Sequence, residues 1–205
     1  SGMDVTDGSQ NTLLGAKSAF ALTTGDYNTI LGYVAGYSTT GVDYSVIIGA
    51  QACQGVMTSA ADGTVAIGYY AASALTSGIG NVAIGSGSLA TEDTGDFNTA
   101  VGTNALGKLN VDGTTGNTAL GYKAGAAFTN SQANTVIGYN AALTHTTGIR
   151  NIVIGYGAMD DTDAGSNSLD SEDNMFIGVD AGGGTWANAD SDYNIAIGNY
   201  SMDAA

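Results

Sequence analysis

Groups able to do chemistry are scarce in this chain of 205 residues, which carries one histidine, one cysteine and one tryptophan. His145 sits in the turn Leu-Thr-His-Thr-Thr-Gly, with no cysteine or second histidine near it in sequence. It reads as a surface loop residue rather than a base or a metal ligand. Cys53 is alone, so no disulfide framework exists, and beside Ala52 it reads as a small packed hydrophobe. No catalytic constellation emerges. The acidic turns are the better candidates. Asp160, Asp161 and Asp163 lie together, followed by Asp170, Glu172 and Asp173, with Asp190 and Asp192 further on. Clustered loop carboxylates are the hard oxygen donors that calcium takes, yet no EF-hand or nonapeptide calcium repeat is present. Solvated acidic loops with no cofactor are the plainer expectation, and Asp160, Asp161 and Asp163 stand as the weak calcium candidates.

Aromatic side chains offer binding rather than reaction. Tyr33, Tyr69, Tyr122, Tyr139 and Tyr156 recur at one position of a repeat, and Tyr27, Tyr44, Phe97 and Tyr193 at another. Such rings stack on one another or, exposed, hold sugar faces. Trp186, in a Gly-rich loop, is the best single candidate for a ligand contact. Threonines precede loop glycines at Thr24, Thr40, Thr94, Thr115 and Thr147, the kind of hydroxyl array an ice-binding surface presents. Turn hydroxyls also serve local hydrogen bonds.

What must position all of these is a repeat. The motif N-x-h-h-G, with h apolar, places its glycine at Gly15, Gly32, Gly49, Gly68, Gly85, Gly102, Gly121, Gly138, Gly155, Gly178 and Gly198. The spacings are 17, 17, 19, 17, 17, 19, 17, 17, 23 and 20 residues. A period this short fits one coil of a β-solenoid, each coil stacked on the last. Three residues after each glycine stands Ala or Ser. Residues 1–10 read as a lead-in or cloning scar with a cap, and 11–205 as one solenoid domain of about eleven coils. Each coil is expected to hold a strand of about five residues, a turn at the glycine, a second short strand through the Ala/Ser, and a return loop. Proline is absent, which suits a backbone whose N–H groups nearly all donate between coils.

Alternation along the strand separates inside from outside. The residue before the glycine is always a branched aliphatic and is expected to fill the coil. The residue before that one, Leu13, Ile30, Ile47, Ala66, Ala83, Ala100, Ala119, Val136, Val153, Phe176 or Ala196, is then expected to face outward. It too is apolar throughout. At ~4.8 Å per coil the strip is roughly 50 Å tall and ~15 Å wide, on the order of 800 Å², about one partner's share of a standard interface. Self-association of parallel chains, or a loop folded over the strip, would cover it.

The net charge is −15 with only four basic residues, which excludes the electropositive stripe that nucleic acid requires. No apolar run approaches the ~18 residues of a membrane span, so membrane insertion by this segment is not expected.

Four stretches carry a family resemblance. NVAIGSGSLA (81–90), TVAIGYYAA (64–72) and NIAIGNYS (194–201) resemble the head repeats of YadA-like trimeric autotransporter adhesins. NTALGYKAG (117–125), with its Thr-Thr-Gly-Asp-Tyr turns, resembles shaft repeats of bacteriophage tail fibres. The resemblance spans all eleven coils, although these coils are a few residues longer than those of adhesin heads. It implies a left-handed parallel β-roll, three chains about one axis, and a non-enzymatic extracellular fibre segment on a virion tail or bacterial surface. Attachment to a host-cell surface glycan or protein would follow. The alternative reading is a stand-alone binding module for ice or carbohydrate. A polysaccharide-degrading solenoid finds no support, because the acids lie in turns rather than on one strip.

Overall fold

The computed structural model describes residues 1–160, 171–183 and 192–203. Every repeat contributes one strand of three residues: β1 (Thr12–Leu14), β2 (Thr29–Leu31), β3 (Val46–Ile48), β4 (Val65–Ile67) and β5 (Val82–Ile84) come first. A two-residue strand, β6 (Gly95–Asp96), precedes β7 (Thr99–Val101), and another, β8 (Gly113–Thr114), precedes β9 (Thr118–Leu120). The array ends with β10 (Thr135–Ile137), β11 (Ile152–Ile154), β12 (Met175–Ile177) and β13 (Ile195–Ile197). The eleven motif strands form a single parallel sheet in sequence order, and β6 and β8 pair separately. Register is uniform, so each motif position stands over its equivalent in the next coil, as in Thr29↔Val46, Ile30↔Ile47 and Leu31↔Ile48. The fold is an all-β parallel solenoid.

Strands are shorter than the period suggested, and no second strand runs through the Ala/Ser. Turns occupy that stretch instead, built on residues with positive φ two and four positions after each glycine, such as Lys123 (+56°) and Leu106 (+48°). A third corner precedes the motif asparagine, at Tyr27, Tyr44, Phe97 and Arg150, all near +55° to +58°. The motif glycines differ in kind. Their φ values cluster between +125° and +147°, a region essentially confined to glycine. A Cβ on Gly155 would lie 2.0 Å from the Gly178 carbonyl oxygen of the next coil. Both the dihedral and the close backbone approach therefore require glycine.

The lead-in is not a separate cap. Gly2 donates to the Ser18 carbonyl (3.0 Å) and Thr6 to that of Thr23 (3.0 Å), the same coil-to-coil pattern as Ala19 to Ala35 (2.8 Å). The half-coil before Asn11 already follows the solenoid path.

Inside and outside are the reverse of the sequence expectation. Ile30, Ile47, Ala66, Ala83, Ala100, Ala119, Val136, Val153 and Phe176 are completely buried, with Leu13 and Ala196 at the two ends packed on the same core. This column, expected to be an oligomer interface, fills the coil. Volume accounting gives the reason. In several coils a large strand residue is matched by a small one at the inner corner, and beside Gly125 the space is filled instead by Leu106 and Phe128. Ile30 pairs with Gly36 and Phe176 with Gly182, whereas Ala83 and Ala100 pair with Leu89 and Leu106. A Cβ on Gly182 would meet the Phe176 ring at 2.6 Å. Close packing tolerates neither void nor excess.

The asparagine column is buried and bonded. Where asparagine follows asparagine (Ser45 and Thr64 interrupt the column), Oδ1 accepts the backbone N–H of the next one, as in Asn98 to Asn81 (2.9 Å) and Asn151 to Asn134 (2.8 Å). Its Nδ2 donates to a turn carbonyl of the following coil, as Asn134 does to Gly148 (2.8 Å). Buried amides satisfied on both sides give an axial ladder.

Candidate functional site

With the middle strand residue turned inward, both flanking residues face out. One outward column is the branched aliphatic before the glycine, from Leu14 through Ile84 and Ile137 to Ile197. The other, two residues earlier, alternates Thr with Val, Ile and Met, from Thr12 through Val82 and Thr135 to Ile195. Eleven strands thus present twenty-two outward side chains, of which seventeen are apolar and five are threonine. None is charged, on a chain with 19 acidic residues. Neighbours above and below shield each side chain in part. In mid-array Leu120 is 48% exposed, the rest of its column from Leu31 to Ile177 is half-buried, and Leu14 and Ile197 at the ends are each 66% exposed. This strip carries no charge over its eleven coils, and its polar side chains are the five threonines.

Aromatic rings border this face in sequence on both sides. Tyr122, Tyr139 and Tyr156 form a continuous exposed stack with centroids 5.0 and 5.3 Å apart. Tyr27 and Tyr44 stack at 5.1 Å at the opposite corner. Identical positions in register bring equal rings to the coil spacing, where offset stacking is favourable. Lys123 Nζ lies 5.3 Å from the centroid of Tyr122.

Other candidates fall into structural roles. Cys53 is buried, as expected of a packed hydrophobe, and desolvation pushes its thiol up to about 12. Loop carboxylates mostly tie coils together: Asp26, Asp43 and Asp62 each accept an N–H from the preceding coil at 2.6–2.8 Å. Arg150 holds Asp173 (2.6 Å) and Glu172 (2.9 Å), and the hydrogen bond to Asp173 lowers that carboxyl below its usual range. Among the described residues no group of acids, His or Cys is arranged to hold a metal. Of the calcium candidates Asp160 is described, whereas Asp161, Asp163 and the contact candidate Trp186 lie outside the described residues. Hydroxyls of the turn threonines Thr40, Thr94 and Thr115 are engaged, whereas Thr12, Thr29, Thr99, Thr118 and Thr135 stand on the outward strand face. Thr40 donates to the Met57 carbonyl (3.3 Å), Thr94 to Asp112 (2.6 Å) and Thr115 to the Asp96 carbonyl (2.8 Å).

His145 is not a surface residue. It is completely buried, edge-on to Phe128 at 5.9 Å, and its Nε2 accepts the Gly148 N–H at 3.1 Å. Three coils earlier Glu92 fills the equivalent position and accepts from Gly95 (2.7 Å), Thr94 (3.2 Å) and Val111 (3.2 Å). Leu22, Leu75, Leu109 and Phe128 hold that position elsewhere. Glu92 and His145 are therefore core residues that add an acceptor for a turn N–H. A column otherwise apolar was the available signal, masked in sequence by the Thr- and Gly-rich turn around it.

Burial raises the Glu92 carboxyl above its ordinary value, against the lowering effect of its three N–H donors. A raised folded value means stability that is fully present below the unfolded value, near 4.3, and is lost as pH rises through the folded one. Glu92→Gln removes this titration. The melting temperature of the native chain relative to the Glu92→Gln variant should therefore be highest at pH 4 and fall by pH 7. An offset that stays constant across that range would show that Glu92 does not titrate this way.

No protein-family model, curated protein sequence or solved structure matches the chain.

Proposed function

We propose that this chain is a structural, non-enzymatic segment of a trimeric extracellular fibre, its three copies parallel and laid against one another through the outward sheet face. The observation that carries this reading is the uncharged outward face on a strongly acidic chain. Three-residue strands are about 10 Å wide, so a strip roughly 50 Å tall covers on the order of 500 Å² per chain, which at ~25 cal/mol/Å² yields about 12 kcal/mol gross. That is of the same order as the roughly 4–15 kcal/mol that association costs in lost freedom. Parallel packing is favoured because the columns are regular along the axis, so any copy in register meets the same side chains throughout. Three-fold symmetry, left-handed coiling and location on a phage tail or bacterial surface come from the likeness of the repeats to adhesin heads and tail-fibre shafts. The rod supplies stiffness, and the turns beyond the sheet supply attachment to a surface glycan or protein.

Sedimentation equilibrium at micromolar concentration tests it. Three chain masses are expected, each chain being 20.3 kDa; a single chain mass would defeat the fibre reading. The alternative of an isolated ice-binding module predicts thermal hysteresis, and its absence would set that reading aside.

A further inference from the structure

We infer that the groove between the coils of Gly102, Gly121 and Gly138 binds a carboxylate-bearing sugar. This deepens the attachment half of the reading above by naming its ligand class. The groove has a volume of about 280 Å³ and is lined by Asn104, Lys108, Lys123, Ala126, Ala127 and Leu143, with Gly107 beside them. The chain has four cations in all. Arg150 is spent on Asp173 and Glu172, whereas neither Lys108 nor Lys123 makes an ion pair among the described residues. Two of the four cationic residues therefore line one concavity of a strongly acidic molecule, and the Lys123 ammonium lies over the ring of Tyr122 beside it.

Long-range repulsion from the net charge does not forbid an anion here. At physiological ionic strength the screening length is about 8 Å, so the two ammonium groups dominate the local field. The remaining lining specifies more than an anion. Asn104 offers an amide to hydroxyls, and Ala126, Ala127 and Leu143 offer an apolar wall to C–H groups. Lys123 also reaches toward the ring of Tyr122, the first of three stacked and exposed tyrosines. A pyranose has an apolar face for such rings and hydroxyls for the amide, and a carboxylate on it supplies the charge for the lysines. The groove lies in the turns past the motif glycine, on residues other than the outward strand positions.

The test is titration calorimetry on the whole chain with 3′-sialyllactose, trigalacturonate and neutral lactose. At least one acidic sugar should bind at least about tenfold more tightly than lactose, and its identity separates sialic from uronic acid as the source. Lys108→Gln with Lys123→Gln should weaken that binding about tenfold and abolish its dependence on salt. Equal binding of acidic and neutral sugars, or unaltered binding by the double variant, would overturn the inference. Sedimentation of the same samples keeps the two ideas apart. An assembled chain without acidic-sugar binding defeats only the groove, and a binding monomer defeats only the fibre.

Discussion

Gly155→Ala should prevent the array from folding as one unit, with a loss of more than about 3 kcal/mol and little soluble protein. Two effects add. The φ of +147° lies where side-chain-bearing residues are strained by about 1–3 kcal/mol. The new methyl would also stand 2.0 Å from the Gly178 carbonyl oxygen, a backbone atom that cannot swing away without breaking the sheet. Gly116→Ala is the matched control. Gly116 has φ +58° and nothing within 4 Å of a Cβ, so the expected loss is only about 1–2 kcal/mol. Thermal unfolding followed by circular dichroism measures both. Similar melting temperatures for the two variants would show that coil-to-coil approach at the motif glycine is not what selects it.

Ile67→Asp combined with Ile137→Asp should convert the assembly to single chains while leaving each chain folded. Both side chains stand in the outward column, only partly shielded by their neighbours. A carboxylate there is solvated in the separate chain, but must be desolvated and brought near its symmetry copies on association. Ile47→Asp is the contrast, because Ile47 is completely buried inside the coil and an unpaired charge there should unfold the chain. Sedimentation and circular dichroism read the two consequences separately. If the outward pair unfolds the chain and Ile47→Asp merely dissociates it, the assignment of faces is reversed.

That assignment marks the limit of what the sequence shows. The coil period, the parallel in-register sheet, the buried asparagine ladder and the glycine corners all follow from the spacing of one motif. Parity does not, because three successive strand positions are apolar in most coils and a shift of one residue exchanges the faces. The decisive signal was volume rather than polarity. The middle position ranges from Ala to Phe and in some coils is compensated nearby, as Phe176 is by Gly182, whereas the position before the glycine never departs from Leu, Ile or Val. Such compensation belongs to a closed interior. The candidate groove was illegible for a different reason. Lys108 and Lys123 are 15 residues apart in sequence, and only the offset between coils of 17 and 19 residues brings their turns together. Likewise His145 reads as a turn residue until the column containing Leu75, Glu92, Leu109 and Phe128 is seen to be interior.

The asparagine ladder has one weak junction. Ser45 and Thr64 replace the amide in adjacent coils; Thr64 N–H still reaches Ser45 Oγ at 3.2 Å, but the Thr64 hydroxyl turns to the Ala61 carbonyl at 2.8 Å. Among the described hydrogen bonds, no amide rung links Thr64 to Asn81. Because axial load on a stacked rod is carried in series, every layer boundary feels the same force and the least bonded one yields first. The boundary between the fourth and fifth layers makes up for its missing rung in the turns, where the Ser73 and Thr76 hydroxyls donate to the Ala90 and Asp93 carbonyls at 2.9 Å each and the Ile79 N–H to Asp96 at 2.9 Å, so the load there bypasses the ladder.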